Sequence, residues 1–183
     1  MAQQPCQDVP TIWVFDEDQG ADNYHLWSFS DYNNANATGI DFGRARYFDP
    51  ITNVITNFPT SGNPGDIESM AVDPTTGIVY LTSADRLPGG PSGTQALWAA
   101  DLDTVNVTNG VVFKLVGHID AQGDNASENL AYYNGRLYFA QTNGTALNTD
   151  TNTDGLSYIT ISGLNPNPML ATNAIPVGLL TYA

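Results

Sequence analysis

The hydrophobic positions of this chain fall in short runs rich in β-branched and aromatic residues, separated by residues that favour turns. No longer segment carries the roughly 3.6-residue spacing of an amphipathic helix. Such runs predict β-strands along the whole chain. The predicted strands span residues 11–15, 24–29, 45–48, 53–58, 67–72, 78–82, 96–102, 111–116, 129–133, 136–141, 156–161 and 175–181.

Three segments between these runs predict tight turns, because they contain residues that favour the backbone angles of turns. Asp73–Gly77 places a proline and a glycine where a hairpin needs fixed and positive φ. Asn134–Gly135 is the two-residue signal of a type I′ turn. Asp49–Asn53, which also contains a proline, predicts a third turn. The strands that flank these segments should therefore form antiparallel hairpins.

Two stretches of the chain, residues 67–82 and 127–141, align with each other. Each contains a hairpin, followed by a polar loop and two further predicted strands. A more divergent first unit aligns loosely through Asp8–Ile12. A period near 60 residues with four strands per unit is typical of propeller blades or another β-array. The residues that match are Glu68 with Glu128, Ala71 with Ala131, and Tyr80 with Tyr138.

The first hairpin of the second unit, Ala71–Tyr80, carries an A-hydrophobic-D-P-x-x-G-x-hydrophobic-Y motif. In this respect the chain resembles bacterial extracellular β-propellers. The Asp66–Glu68 opening is similar to that of phytase-like and esterase-like secreted propellers. The resemblance implies a single all-β domain over residues 1–183, with three four-stranded antiparallel blades in a β-propeller-like arrangement. The expected blades span residues 8–64, 65–123 and 124–183.

Three blades are fewer than the roughly four to eight of closed propellers. An open stack of blades would leave β-edges that invite pairing. The sequence therefore predicts a partial propeller that is completed by other copies in a homo-oligomer, or by further blades of a longer chain.

The chain has 19 acidic and 5 basic residues and a formal net charge of -14. Five scattered cations cannot neutralise a phosphate backbone, which excludes nucleic acid as a partner. No run reaches the roughly 20 apolar residues that insertion across a bilayer requires. Scarce Lys and abundant Asp, Asn, Thr and Gly favour a secreted or cell-surface location. The first residues, Met1–Cys6, lack the segments of a signal peptide, and the single Cys6 excludes an internal disulfide.

Two acidic segments are candidate calcium sites. Asp150, Asn152 and Asp154, followed by Gly155, fit the opening of a D-x-[DN]-x-[DN]-G loop. Ile161 stands where an EF-hand has its closing glutamate, so the alternatives are a looser calcium loop and a solvated turn. The second segment contributes Asp16, Asp18 and Asp22, whose mutual repulsion either a Ca²⁺ ion or solvent would relieve.

Glu68 and Glu128 occupy the same place in the two repeats, at the start of a predicted strand. The resemblance to propellers, in which the first strand of each blade lines the central channel, implies that the two carboxylates converge on that channel. These carboxylates could hold a structural ion, accept backbone N–H bonds, or act as a catalytic acid/base pair. The structural roles are favoured. The three tryptophans, Trp13, Trp27 and Trp98, alternate with apolar neighbours and predict packing between strands, with sugar stacking as the alternative.

These patterns predict a non-catalytic binding, adhesion or self-assembling matrix protein, stabilised by calcium, with a carbohydrate or a protein as its ligand. The alternative is a secreted propeller hydrolase, phytase-like or esterase-like, that uses the carboxylates of Glu68 and Glu128. No nucleophile or phosphate-binding motif decides between the two.

Overall fold

The structure, a computed structural model, describes residues 11–16, 24–30, 38–58, 67–83, 94–105, 110–120, 130–141, 155–160 and 178–180. These residues form β-strands and one 3₁₀ turn, Leu102–Thr104, which confirms the all-β class. In the described ranges no helix combines the length and the apolar character that crossing a membrane demands. The strands are β1 Ile12–Phe15, β2 His25–Phe29, β3 Ile40–Arg44, β4 Arg46–Asp49, β5 Val54–Asn57, β6 Ile67–Asp73, β7 Ile78–Ser83, β8 Thr94–Asp101, β9 Val112–Asp120, β10 Leu130–Tyr133, β11 Arg136–Gln141, β12 Gly155–Thr160 and β13 Gly178–Leu180.

The strands form three sheets. The first sheet has the order β1-β2-β3, and the third sheet has the order β10-β11-β12-β13. The central sheet has six strands in the order β5-β4-β9-β8-β7-β6. All strand pairs of the described chain are antiparallel except β4 and β9, which run parallel. The second and third predicted units thus contain four-stranded antiparallel meanders, β6–β9 and β10–β13.

The first predicted unit, residues 8–64, does not form one four-stranded blade, because its strands divide between two sheets. Residues 40–49 run almost continuously as β3 and β4, and the partner changes at Ala45. The Ala45 N–H donates to the Tyr24 carbonyl at 2.7 Å, whereas the Arg46 N–H donates to the Val111 carbonyl at 3.0 Å. The described residues accordingly form stacked sheets, one of them mixed, and not a closed propeller.

Gly110 lies against the backbone of β3, next to the point where the pairing partner changes. Its φ is +63°, and a Cβ built on it would stand 3.2 Å from the Phe42 carbonyl oxygen and 3.4 Å from that of Arg44. A side chain here would meet backbone atoms that cannot rotate away. Glycine is thus required at position 110 both for its conformation and for the close approach of β3.

We expect Gly110→Ala to lower the free energy of unfolding by about 2–3 kcal/mol, because left-handed strain adds to the steric contact. Gly135→Ala is the matched control, because Gly135 has φ +75° and nothing within 4 Å of an added Cβ. The control should lose only about 1–2 kcal/mol. Denaturant unfolding of both variants measures the difference, and equal losses would contradict the contact at β3.

The predicted turns are confirmed by their backbone angles. Asn134 and Gly135 have φ of 48° and 75°, the two positive values that a type I′ turn requires. Gly77 has φ 71° and closes the turn that begins at Asp73. At the third turn, the Asp49 carboxylate accepts from the Ile51 N–H at 2.8 Å.

The central sheet is covered on both faces, and all six residues of β7 are buried. Val79 and Leu81 face the first sheet, whereas Ile78 and Tyr80 face the third. Burial on both faces explains why this strand is a continuous apolar run in the sequence and does not alternate. The stack of sheets therefore has two hydrophobic cores, one on each side of the central sheet.

The core between the first and central sheets is built around Trp98. Its ring centroid lies 5.0 Å from that of Tyr47 and 5.3 Å from that of Phe58. Its indole N–H donates to the Ser83 hydroxyl at 3.0 Å, which satisfies the one polar atom of a fully buried side chain. Trp13 also packs against this core.

Candidate functional site

Most of the predicted metal and catalytic residues lie outside the described residues, namely Asp18, Asp22, Glu128, Asp150, Asn152 and Asp154. Asp16 is described and follows β1. Its N–H donates to the His25 carbonyl at 3.0 Å, and its carbonyl accepts from the Tyr24 N–H at 2.7 Å. The described ranges contain no group of three or more His, Cys, Asp or Glu side chains that could hold a metal ion. The calcium sites thus stay predictions.

Glu68 lies near the start of β6 and is half-buried. The pairing of β6 with β7 shifts register between Ile67 and Ser69, so Glu68 stands at an irregularity of the strand. Because Glu128 lies outside the described residues, the convergence of the two carboxylates stays a prediction.

A hydrogen-bond cluster joins the central sheet to the third sheet. Asp73 is only 6% exposed, and its carboxylate accepts from the Thr75 N–H at 2.8 Å, from Thr76 and from the Tyr132 hydroxyl of the third sheet. A second link is made by the Leu130 N–H, which donates to the Ser69 hydroxyl at 2.6 Å. Asp73, which the sequence predicts only as a turn residue, also connects two sheets.

Hydrogen bonds and burial together decide which side chains of this cluster are charged. Burial by itself would raise the pKa of Asp73, but the bonds from Thr75, Thr76 and Tyr132 outweigh it and hold the pKa below its usual value. Burial, followed by the Asp73 charge, raises the pKa of the neighbouring Tyr80 to about 12. At neutral pH Asp73 is therefore an anion and Tyr80 a neutral phenol.

The outer face of the third sheet, defined by Ala131, Tyr133, Arg136, Tyr138 and Tyr158, presents aromatic rings around an arginine. The Arg136 Cζ lies 4.3 Å from the centroid of the Tyr158 ring. Tyr138 and Tyr158 are opposite in register, with centroids 5.7 Å apart. Tyr133, opposite Arg136, is 72% exposed.

The hydrogen bond to Tyr138, together with the interaction with Tyr158, raises the pKa of Arg136. Tyrosine and arginine in this combination are typical of protein interfaces, because both offer large contact areas and polar groups. The outer face can therefore bind a partner surface through apolar contacts and one fixed positive charge.

The equivalent face of the central sheet is covered by the third sheet. The two hairpins share one register, since Ala71 pairs with Tyr80 and Tyr80 with Ala99, as Ala131 pairs with Tyr138 and Tyr138 with Tyr158. The first set is buried against the third sheet, in a core to which that sheet contributes Leu130, Leu137, Phe139 and Ile159. The outer face of the third sheet is thus the counterpart of a surface that is already packed.

Sequence reasoning missed this face, although the alternation along β11 carries a signal for it. Leu137 and Phe139 are buried on one side, whereas Arg136 and Tyr138 are on the other. An arginine among aromatic residues on the solvent side of a strand is a composition that is enriched at protein interfaces.

The outer face of the first sheet, defined by Ile12, Val14, Trp27 and Phe29, is apolar. Ile12 and Val14 are exposed, and they pair with Phe29 and Trp27, whose rings stack at 6.5 Å and 19°. Trp27 thus lies outside the core that contains Trp98.

A polar pair lies beside these rings on the first sheet. His25 Nδ1 is 2.9 Å from Asp41 Oδ2, and the Gly43 N–H donates to Asp41 Oδ1 at 2.7 Å. The outer face of the first sheet therefore combines apolar contact area with a carboxylate.

Comparison with protein families, curated proteins and solved structures finds no match to this chain.

Proposed function

We propose that this chain is a non-catalytic, self-assembling β-sheet protein of the cell surface or extracellular matrix, with a propeller-like arrangement of sheets and calcium bound in its acidic loops. The observation that carries the proposal is the outer face of the third sheet. It repeats the register of a face that is buried in the central sheet, yet its Tyr133 is 72% exposed. A further sheet is the surface that fits it.

The charge of the chain supports an assembly of defined contacts. A net charge of -14 keeps copies apart in solution unless a specific surface overcomes the repulsion. Arg136 is one of only five cations, and it lies in the middle of the proposed surface. The acidic composition with scarce Lys also supports the location outside the cell.

Sedimentation of the purified chain over a range of concentrations tests self-assembly. We expect a species heavier than the 19.6 kDa of one chain, and Arg136→Glu should weaken its formation at least tenfold. Lys114→Glu is the matched control, because it reverses another exposed positive charge, on β9, and should leave assembly unchanged. A single chain at every concentration would contradict the proposal.

Calcium should raise the melting temperature by several degrees, because a ligand at about 100 times its Kd stabilises the folded state by about 2.7 kcal/mol. The combined variant Asp150→Asn and Asp154→Asn should lose part of this rise, and adding Asp16→Asn and Asp18→Asn should remove the rest. Calorimetry with calcium and with chelator measures the shift. Equal melting temperatures in both buffers would contradict the calcium proposal.

The hydrolase alternative is favoured by one observation, the irregularity of β6 at Glu68. Such bulges occur often beside active sites, where they redirect a side chain. Turnover of a phosphate or ester substrate, lost in Glu68→Gln and in Glu128→Gln while the fold is kept, would support this alternative and overturn the non-catalytic proposal.

A further inference from the structure

The three sheets are stacked in chain order. We call the front of a sheet the face toward the preceding sheet in the chain, and the back the face toward the following one. For the two outer sheets, the front of the first sheet and the back of the third are the faces that point away from the central sheet. The back of the central sheet, which includes Ala71, Tyr80 and Ala99, packs on the front of the third sheet. The front of the central sheet packs on the back of the first sheet, which contributes Trp13, Phe15 and Leu26. Among the described residues, no further sheet covers the front of the first sheet or the back of the third.

The two exposed faces correspond to the two sides of the contact already formed inside the chain, one in its apolar composition and the other in its strand register. The front of the third sheet supplies Leu130, Leu137, Phe139 and Ile159 to that contact. The front of the first sheet presents a comparable apolar set, Ile12, Val14, Trp27 and Phe29. The back of the third sheet has the register of the central back. The two faces that a further contact between sheets needs, a front and a back, are therefore present on the first and the third sheet of one chain.

We infer that the back of the third sheet binds the front of the first sheet of a second copy of this chain, so that copies join head to tail. The inference rests on the proposed function, and it names the partner surface and its polarity. Two copies joined at both ends would contain six sheets, which is within the roughly four to eight of closed propellers. We therefore expect a closed pair and not an open filament.

Charge favours this arrangement over a symmetric contact between two third sheets. In a back-to-back contact, Arg136 of one copy would approach Arg136 of the other. In the head-to-tail contact, the face that carries Arg136 meets the face that carries Asp41, whose carboxylate lies 2.9 Å from His25 Nδ1 and whose side chain is 36% exposed. Opposite charges on the two faces orient the encounter, whereas like charges oppose it.

Two variants, each blocking one face, test the inference. Arg136→Glu blocks the back of the third sheet, and Val14→Asp blocks the front of the first, where Val14 is 40% exposed. Val54→Asp is the matched control for the second, because Val54 is equally apolar and 55% exposed on the edge strand β5. Each face variant alone should sediment as a single chain, whereas Val54→Asp and Lys114→Glu should pair as the wild type does.

An equimolar mixture of the two face variants is the decisive sample. Each mixed pair keeps one intact contact, so a two-chain species should return, at a higher protein concentration than the wild type needs. If a charged variant does not fold by circular dichroism, Arg136→Gln or Val14→Gln replaces it in the same test.

The outcomes separate this inference from the proposed function. If Arg136→Glu blocks assembly but Val14→Asp does not, self-assembly stands and the head-to-tail contact is overturned. If the mixture of face variants stays single, the head-to-tail contact is likewise overturned. If the mass of the wild type grows without limit as concentration rises, the closed pair is overturned. If the wild type is a single chain throughout, the proposed function itself fails.

Discussion

Replacing Trp98 by alanine should lower the free energy of unfolding by about 3–5 kcal/mol, the usual loss for removing a large aromatic side chain from a core. Trp98 is fully buried at the centre of the first core, in contact with the rings of Tyr47 and Phe58. Its removal would leave a cavity between two sheets whose strands cannot close it without changing register. Denaturant unfolding, followed by circular dichroism, measures the loss.

Ser83→Ala separates the hydrogen bond from the packing at this position. It removes the acceptor of the Trp98 indole N–H but leaves the ring in place, so about 1–2 kcal/mol should be lost. Trp98→Phe should fall between the two variants, because it keeps a ring and loses the donor. A cost below about 1 kcal/mol for Trp98→Ala would mean that this core does not hold the first and central sheets together.

The second large effect is expected at Asp73, where Asp73→Ala should lower the free energy of unfolding by about 2–3 kcal/mol. The variant leaves the Thr75 N–H and the Tyr132 hydroxyl without their charged acceptor. In a double-mutant cycle with Tyr132→Phe, a coupling of about 1 kcal/mol would show that Asp73 joins the central and third sheets. Additive losses would show instead that Asp73 acts only within its own turn.

The stabilisation from Asp73 should also depend on pH. Its pKa is lower in the folded chain than the ordinary value of 3.8, so the folded state binds this proton less readily than the unfolded state. The contribution is therefore fully present above pH 3.8 and is lost as pH falls through the folded pKa. The difference in stability between the wild type and Asp73→Asn should shrink over that acid range, and an unchanged difference would contradict the assignment.

The parts of the fold that depend on neighbouring residues were predictable from the sequence. The hairpin at Asn134–Gly135 needs only two residues that adopt positive φ, and both do. The alignment that matches Ala71 with Ala131 agrees with the register, since each alanine pairs with its tyrosine across the hairpin. Short-range pairing and turn chemistry decide these features.

The change of partner at Ala45 could not be predicted in the same way. The run Ala45–Phe48 is an acceptable strand in any sheet, and its placement is decided by a parallel pairing with β9, more than sixty residues away. Nothing in a local pattern distinguishes that pairing from an antiparallel blade. The first unit was therefore predicted as one sheet, although its strands belong to two.

The residues of the candidate site likewise divide into those that a local pattern selects and those that depend on the packing of the sheets. The acidic loops and Glu128 were selected by residue type and lie outside the described residues. At the outer face of the third sheet, the alternation along β11 separates Arg136 and Tyr138 from Leu137 and Phe139, but which sheet covers the apolar side is decided by the tertiary fold. The cross-sheet bond from Tyr132 to Asp73 has no sequence signal, because the two residues are far apart in the chain and belong to different sheets.

Hydroxyl-radical footprinting of the wild type at low and high protein concentration tests most directly whether the outer face of the third sheet is the binding surface. In the single chain Tyr133 is 72% exposed and Ile51, in the turn between β4 and β5, is 60% exposed, so both should be oxidised readily. As assembly proceeds, oxidation of Tyr133, Tyr138 and Tyr158 should fall several-fold while that of Ile51 stays constant. Oxidation of these tyrosines that is the same at every concentration would contradict the account.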